Sequence, residues 1–496
     1  MISPEQYPVL IVVTPLLSAF LINILGNMDK RFCYPATLLA LAGSLSAAVG
    51  TLCRVANEGV IHYRVGGWPP PFGIEYVVDH LNALVLVVVA GVALVAAVAS
   101  KRSVEEEFPH KITQFYTLFV LLTTGLLGMT ITGDAFNLYV LMEIAALTNY
   151  ALIAMGGNRA LMASFNYVVV GTIGACFYLL GVGHLYIMTG SLNMADIMTI
   201  LPSLYGTNAI LVAAILMLLG AWIKMAFFPL HGWLPNAYTY APSATSSLVA
   251  PLMTKVSVYI MIRVMFSVLG ATYVFTVLPV KELIVWLATA AIVGGSLFAL
   301  SQKDFKRMLT FLIVAEVGYM VGGAWLATER GITGAILHIV NDAVMTLCLF
   351  LFSAIVVYKT KGHQLSNLEG MFKKMPLTMT AFAVGALSMI GVPPTAGFFS
   401  KWYLILGGID AGQWQFVVAL LFSSLVNAVL FFRIFEIAYY EPHSDHHGHS
   451  APVAIDEAPM SMLLPLAVVA VAIIMLGLYS GEIVTTFIQH AVPAGI

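Results

Sequence analysis

The sequence predicts an all-α polytopic membrane protein of about fourteen transmembrane helices, with two inverted five-helix repeats that each contain one broken helix. Composition is the first reason: 60% of the 496 residues are hydrophobic and 9% charged, with mean hydropathy +0.94, where ordinary soluble domains carry roughly 25% charged residues. Run length is the second. The apolar stretches are continuous and mostly ~20 residues or longer, enough for a helix to cross the hydrocarbon, unlike the ~10-residue alternating segments of a membrane barrel. Self-similarity is the third. A shift of about 170 positions lays Asp134 on Asp304, Tyr150 on Tyr319, Phe227 and Phe228 on Phe398 and Phe399, Trp233 on Trp402, and Arg263 on Arg433.

Apolar runs divided by polar or Pro/Gly punctuation place spans near 7–27, 34–53, 78–100, 115–133, 135–155, 160–188, 208–230, 246–270, 282–301, 306–327, 332–357, 376–408, 415–439 and 459–479. No basic region or small-residue cleavage site precedes the first run, so it is expected as a span rather than a removable signal. The stretch VGGWPPPFG (65–73) is expected as an ordered hairpin-like loop. The seventh span runs into FFPLHGWLP (227–235) and the twelfth into GVPPTAGFFSKW (391–402). Proline there removes backbone donors and bends the helix. Broken helices at membrane depth persist where protein or a hydrated cavity satisfies the freed carbonyls; the alternative is a loop at the membrane edge. An odd number of spans per unit, five in 4–8 and five in 9–13, inverts the second copy. The expected division is a three-helix segment (1–110), a first five-helix repeat (111–275), a second (276–440), and a His-rich loop with a C-terminal helix (441–496).

Positive charge separates the two sides. Lys30, Arg31, Lys101, Arg102, Lys111, Arg159, Lys303, Lys306, Arg307, Lys359, Lys361, Lys373 and Lys374 fall on one side, thirteen against the four of Arg54, Arg64, Lys281 and Arg330. The heavier side is cytoplasmic by the positive-inside rule, which puts both termini outside a multi-pass protein of the cell (inner or cytoplasmic) membrane.

Charges within the apolar runs are the candidate functional residues, because each costs roughly 2.5–3.5 kcal/mol on insertion scales and is retained for a reason. Lys224 closes an apolar run ahead of Pro229, Lys255 lies in the next run, Lys401 sits beside the second proline break, and Glu143 lies in AFNLYVLMEIAALTNYALIA. Glu143 and Lys224 are the best candidates for an intramembrane ion pair; one that opens and closes changes the proton affinity of both groups and is felt by Lys255 through a low-dielectric interior. A static pair that fixes two helices is the plainer reading. His231 and His338 could relay protons, since an imidazole titrates near pH ~6.5, or simply link helices. His184, near a span end, is expected in the plainer role. Glu316 and Asp342 could neutralise Lys401, bind a monovalent cation with helix-end carbonyls, or anchor helices. Asp134 reads as a funnel mouth or a helix cap, and Lys303, Asp304, Lys306 and Arg307 as a solvated charge cluster.

Several chemistries find no footing. The formal charge of −2 gives no reason to expect nucleic acid, and Cys33, Cys53, Cys176 and Cys348 lack any C-x-x-C spacing and read as buried thiols. Phosphate-binding loops, dinucleotide fingerprints and nucleophile elbows are missing, so no cofactor is expected. Energy must come from an ion gradient or a partner. The run HSDHHGH, with His443, His446, His447 and His449, is a weak candidate for zinc, nickel or copper and otherwise a polar linker.

GDAFNLYVLMEIAALTNYALIA, KMAFFPLHGWLPNAYTYAPSATSSLVAPLMTK, SQKDFKRML and GVPPTAGFFSKW resemble the antiporter-like membrane subunits shared by respiratory complex I, membrane-bound hydrogenases and Mrp-type Na⁺/H⁺ antiporters. The likeness covers nearly the whole chain, whose length resembles the D-type Mrp protein or its hydrogenase relatives rather than the complex I protein with a long lateral helix. It implies that Glu143 pairs with Lys224, that Lys255 relays charge centrally, that Lys401 is the terminal proton site, and that the chain works inside a larger complex. One departure stands out. Relatives read H-x-x-N-H-A-x-x-K in span 11, where this chain has His338, Asn341, Asp342, Ala343 and Thr346. A histidine and a lysine are lost, so the second half is expected to be rewired through Asp342 and Glu316, or to conduct poorly.

The expected function is proton translocation along Glu143, Lys224, Lys255, His338 and Lys401 within a multisubunit Na⁺/H⁺ antiporter, a transporter subunit rather than an enzyme. The alternatives are the non-redox pumping subunit of an NADH:quinone or hydrogenase-type oxidoreductase, a membrane partner in inorganic-carbon uptake, and a non-conducting structural subunit. Expected partners are other membrane subunits, transported H⁺ and Na⁺, and the bilayer.

Overall fold

The computed structural model describes residues 3–440 and 455–493; the candidate metal run at 443–449 lies outside them. Long runs of Leu, Ile, Val and Ala become helices because a helix satisfies every backbone group within one segment, which lipid demands. In chain order these are α1 (Tyr7–Met28), α2 (Cys33–Glu58), α3 (His80–Glu107), α4 (Ile112–Ile131), α5 (Ala135–Ala154), α6 (Asn158–Thr189), α7 (Met194–Ile200), α8 (Asn208–Lys224), α9 (Leu234–Tyr240) and α10 (Ser243–Arg263). The second half adds α11 (Lys281–Leu300), α12 (Phe305–Trp325), α13 (Glu329–Thr360), α14 (Met371–Lys374), α15 (Pro376–Ile390), α16 (Ala396–Asp410), α17 (Trp414–Tyr439) and α18 (Met460–Leu478). Twelve helices among the described residues are long and apolar enough to cross a membrane. The interrupted pairs α8–α9 and α15–α16 supply the remaining two passages and fall at the proline-marked breaks. Among the described residues, the strands are confined to a hairpin of β1 (Ile61–Arg64) and β2 (Glu75–Val78), with Ile61 opposite Val78, flanking the Pro/Gly loop.

The 170-residue offset recurs in geometry. Asp134 caps α5 by accepting the Asn137 N–H at 2.6 Å, and Asp304 caps α12 by accepting the Arg307 N–H at 3.0 Å. Each also bridges backbone to backbone, Asp134 to Asn193 and Asp304 to Gln364. A Cβ added at Gly125 would lie 2.7 Å from the Ala145 nitrogen, and one at Gly295 would lie 2.7 Å from the Ala315 nitrogen. The same close helix crossing is therefore built twice. Helix α3, 28 residues and about 42 Å long, acts as a ruler. The Gly133 N–H, just before α5, bonds the Glu75 carbonyl beside the N-terminal end of α3. At the other end, Lys361 pairs with Glu106 while the Phe305 N–H, opening α12, bonds the His363 carbonyl at 2.8 Å. The two units begin on opposite faces, which is the inversion that an odd span count requires.

Helix α13 is the hub. It packs against α3, α10, α12, α15, α16 and α18, and 94% of its most apolar window is buried inside the protein.

Two expectations are corrected, and one pair of alternatives is decided. Cys33 and Cys348 are buried, but Cys53 and Cys176 are exposed on the outside of the bundle, because hydrophobicity alone does not tell an inward face from a lipid-facing one. Lys306 is not solvated: it is buried and donates to the Ala241 carbonyl at 2.5 Å, since the first turn of α12 packs beneath the α9–α10 connection. Asp134 is a helix cap.

An unanticipated pair ties α3 to α10. The Arg263 guanidinium grips Asp79 from Nη1 and Nη2 at 2.5 and 2.7 Å, and Asp79 also accepts the N–H groups of Leu81 and Asn82 at 3.0 Å. Burial works against the Asp79 carboxylate, but Arg263 and these N–H groups hold its carboxyl below the ordinary value. A depressed carboxyl contributes stability that is complete above its unfolded value, about 4, and is lost as pH falls through the lower native value. In detergent, the difference in unfolding temperature between the natural protein and Asp79→Asn should stay constant from about pH 7 to 5 and close in stronger acid. A difference indifferent to acid would refute the assignment.

Candidate functional site

The first break sets the first pair. Lys224 is the last residue of α8, where carbonyls at a helix C-terminus favour a cation. Ala226 follows in a left-handed conformation at φ 58°, a strained state for a residue with a Cβ, and turns the chain out of the helix. The Trp233 indole closes the break by donating to the Ile223 carbonyl at 3.1 Å, and its ring stacks on Tyr167. Lys224 Nζ then meets Glu143 Oε1 of α5 at 3.2 Å. The lysine side chain is 2% exposed and the glutamate 23%. Glu143 shares its face of α5 with the exposed Phe136, Val140 and Leu147, so it stands at the edge of the bundle.

The centre holds a denser cluster. Lys255 Nζ of α10 lies 2.9 Å from Asp342 Oδ2 of α13 and 3.3 Å from Thr346 Oγ1, whose hydroxyl donates to Asp342 Oδ1 at 2.8 Å. The two residues that depart from the span-11 pattern thus form one acceptor for Lys255. One turn earlier on α13, His338 Nε2 meets Glu316 Oε2 of α12 at 2.5 Å, while its Nδ1 meets Ser400 Oγ at 2.9 Å. Asp342, Glu316 and His338 are buried with ligand atoms within 4.8 Å of one another.

The second break sets the last lysine. Lys401 of α16 donates to the Met389 carbonyl in the last turn of α15 at 2.6 Å and lies 5.1 Å from the Tyr319 ring centre. Gly391 gives the chain a left-handed turn at φ 95°, and a Cβ there would press the Lys401 stem at 3.3 Å. The Lys401 ammonium, like that of Lys224, therefore sits at the C-terminal end of a half-helix, here α15. No carboxylate forms a direct ion pair with its ammonium among the described residues: Glu316 and Asp342 pair with His338 and Lys255, and they act on Lys401 through their charge across a longer distance.

The other candidates separate. His231 stacks on Phe228 with ring centres 5.2 Å apart, and its Nδ1 has no partner among the described residues, so it joins no observed relay. His184 is half-buried and bonds the Leu180 carbonyl of its own helix. No direct hydrogen bond joins the Glu143–Lys224 pair to the Lys255 cluster among the described residues. Glu316, His338 and Asp342 offer one nitrogen and two oxygens, a set that suits a transition metal. An incoming cation would have to displace the Lys255 ammonium from Asp342, so the cluster is suited to holding mobile protons.

Fold and site together define a class: a polytopic helical membrane subunit with two broken-helix units around a buried row of lysines, carboxylates and a histidine. The chain belongs to the family described as NADH:quinone oxidoreductase/Mrp antiporter, TM, which it matches over residues 132–427. It is 44% identical to the N-type subunit of an NADH-quinone oxidoreductase from Desulforudis audaxviator, over 98% of each chain. It is 31% identical to the D-type subunit of a Na⁺/H⁺ antiporter from Alkalihalophilus pseudofirmus, over 91% of this chain and 90% of that one. Among solved structures, it resembles a chain of the Mrp complex from Dietzia sp. at TM-score 0.87 and 25% identity, over 99% of this chain and 97% of that one. A chain of an archaeal membrane-bound sulfane sulfur reductase superposes at 0.88 with 30% identity, over 98% and 96%.

Proposed function

We propose that this chain is a proton-translocating membrane subunit of a multisubunit Na⁺/H⁺ antiporter, built from two five-helix units at about 111–275 and 276–440. The observation that carries this reading is the buried series Glu143–Lys224, Lys255–Asp342, His338–Glu316 and Lys401, three lysines and three acids drawn into one bundle. Charged groups facing a bundle interior mark ion paths. When the Glu143–Lys224 pair opens, Lys224 loses its counter-charge and releases a proton more readily. The altered field reaches Lys255, whose proton is shared with Asp342 and Thr346. Asp342 passes the disturbance to His338 and Glu316, and Lys401 discharges it. Buried hydroxyls of Tyr238, Thr239 and Thr254 have no protein partner among the described residues, and internal water that satisfies such groups also conducts protons.

Glu143 supports work within an assembly, because a carboxylate at a bundle edge is costly against lipid and cheap against another polar protein surface. A second reading, a pumping subunit of a redox complex, is favoured by the 44% identity to a protein named as an NADH-quinone oxidoreductase component. Purification of the assembled complex from its own membranes, followed by reconstitution, decides. Small membrane proteins alone, with proton uptake driven by a Na⁺ gradient, support the antiporter. Iron–sulfur proteins in stoichiometric amount select the redox reading, and vesicles that move no protons in either setting reject both.

A further inference from the structure

We propose that the cleft at the start of α6 binds a phosphate oxyanion, carried by an anionic phospholipid headgroup or supplied as free phosphate. The cleft encloses about 600 Å³ and is lined by Arg159 on α6, Tyr240 at the end of α9, and Lys303 and Arg307 around the α11–α12 turn. Three cations converge here, and none of them is in an ion pair with a carboxylate among the described residues. The Arg159 guanidinium lies over the Tyr240 ring, 5.8 Å from its centre, and Arg307 Nε is buried with no hydrogen-bond partner among the described residues. The one acid in the lining, Asp304, is already engaged by His363 at 2.6 Å and by the Arg307 backbone N–H.

The backbone adds to this. Helix α6 is 32 residues long and starts without a side-chain cap, after a Gly157 at φ 68° beside which a Cβ would meet open space, and its first residues, Asn158 to Ala160, line the same cleft. An anion there meets both the helix dipole and guanidinium groups whose planar fork matches phosphate oxygens. The cleft lies where α6 and α12 leave the membrane, on the side that carries thirteen of the seventeen basic residues counted above. Basic pockets between helices on that side take anionic headgroups. The walls come from α6 and α9 of the first unit and α12 of the second, so a bound phosphate clasps the two units at their seam.

Native mass spectrometry of the assembled complex tests this, with phosphatidylglycerol, phosphatidylcholine or inorganic phosphate added to the detergent. Phosphatidylglycerol should remain on the natural complex well beyond phosphatidylcholine, and roughly tenfold less on Arg159→Gln with Arg307→Gln, as expected for lost charge-assisted bonds. Binding of inorganic phosphate that the same variant abolishes, without lipid selectivity, also supports the site and identifies free phosphate as the source. If the double variant does not assemble, the exposed Lys303→Gln decides by a several-fold loss. Equal retention of both lipids together with no variant-sensitive binding of inorganic phosphate, or retention unchanged in every assembled variant, overturns the proposal and leaves the transport reading untouched.

Discussion

Lys224→Ala, in a complex that still assembles, is expected to lower proton translocation by about a hundredfold or more, the contribution typical of a positioned proton-transfer group. The reason is geometric: Lys224 is the buried partner of Glu143, and no other ion pair forms at the first break among the described residues. Lys224→Arg separates a relay from a structural strut. Arginine keeps the charge and can still hold Glu143, but it does not give up a proton. Assembly should therefore survive in the arginine variant while flux stays low. Proton uptake into vesicles, read with a pH-sensitive dye, measures both; an arginine variant of normal flux would demote the pair to a strut.

Asp342→Ala is expected to be the most damaging change to stability as well as to transport. It leaves the Lys255 ammonium, 2% exposed, without an acid, and stripping one partner from a buried pair costs about 3–5 kcal/mol. Lys255→Met with Asp342→Leu removes both charges and should recover most of the thermal stability, since apolar pairs of similar volume replace buried ion pairs at little cost. Flux should not return. If the single variant melts with the natural protein, Lys255 has another counter-charge and the central pairing is wrong.

The sequence disclosed most of the scaffold because lipid leaves a chain few options. An apolar run of the right length can only be a helix, and the prolines at 229, 393 and 394 mark the breaks without reference to packing. Glu143 and Lys224 were legible as a pair because each is alone in an apolar run. The partner of Asp342 was not. Lys255 and Lys401 are both lysines in apolar runs, and the choice depends on how α10 and α16 sit around α13, a matter of three-dimensional packing. The buried Lys306 was hidden for a similar reason, since flanking Lys303, Asp304 and Arg307 make it look like part of a wet cluster. The Asp79–Arg263 clasp spans 184 positions, and its traces were two charges inside the limits of apolar runs, with nothing in the sequence to join them.

His338 and Asp342 stand four residues apart on a helix gripped from every side. Their separation of about 6 Å along the axis is as unyielding as the helix itself. A machine with such a spine has no need to rock open and shut between the two faces of the membrane. Its moving parts would be lysine stems and the His338 ring rather than whole helices. Turnover would then be paced from outside, by whatever neighbouring protein tugs on the first pair.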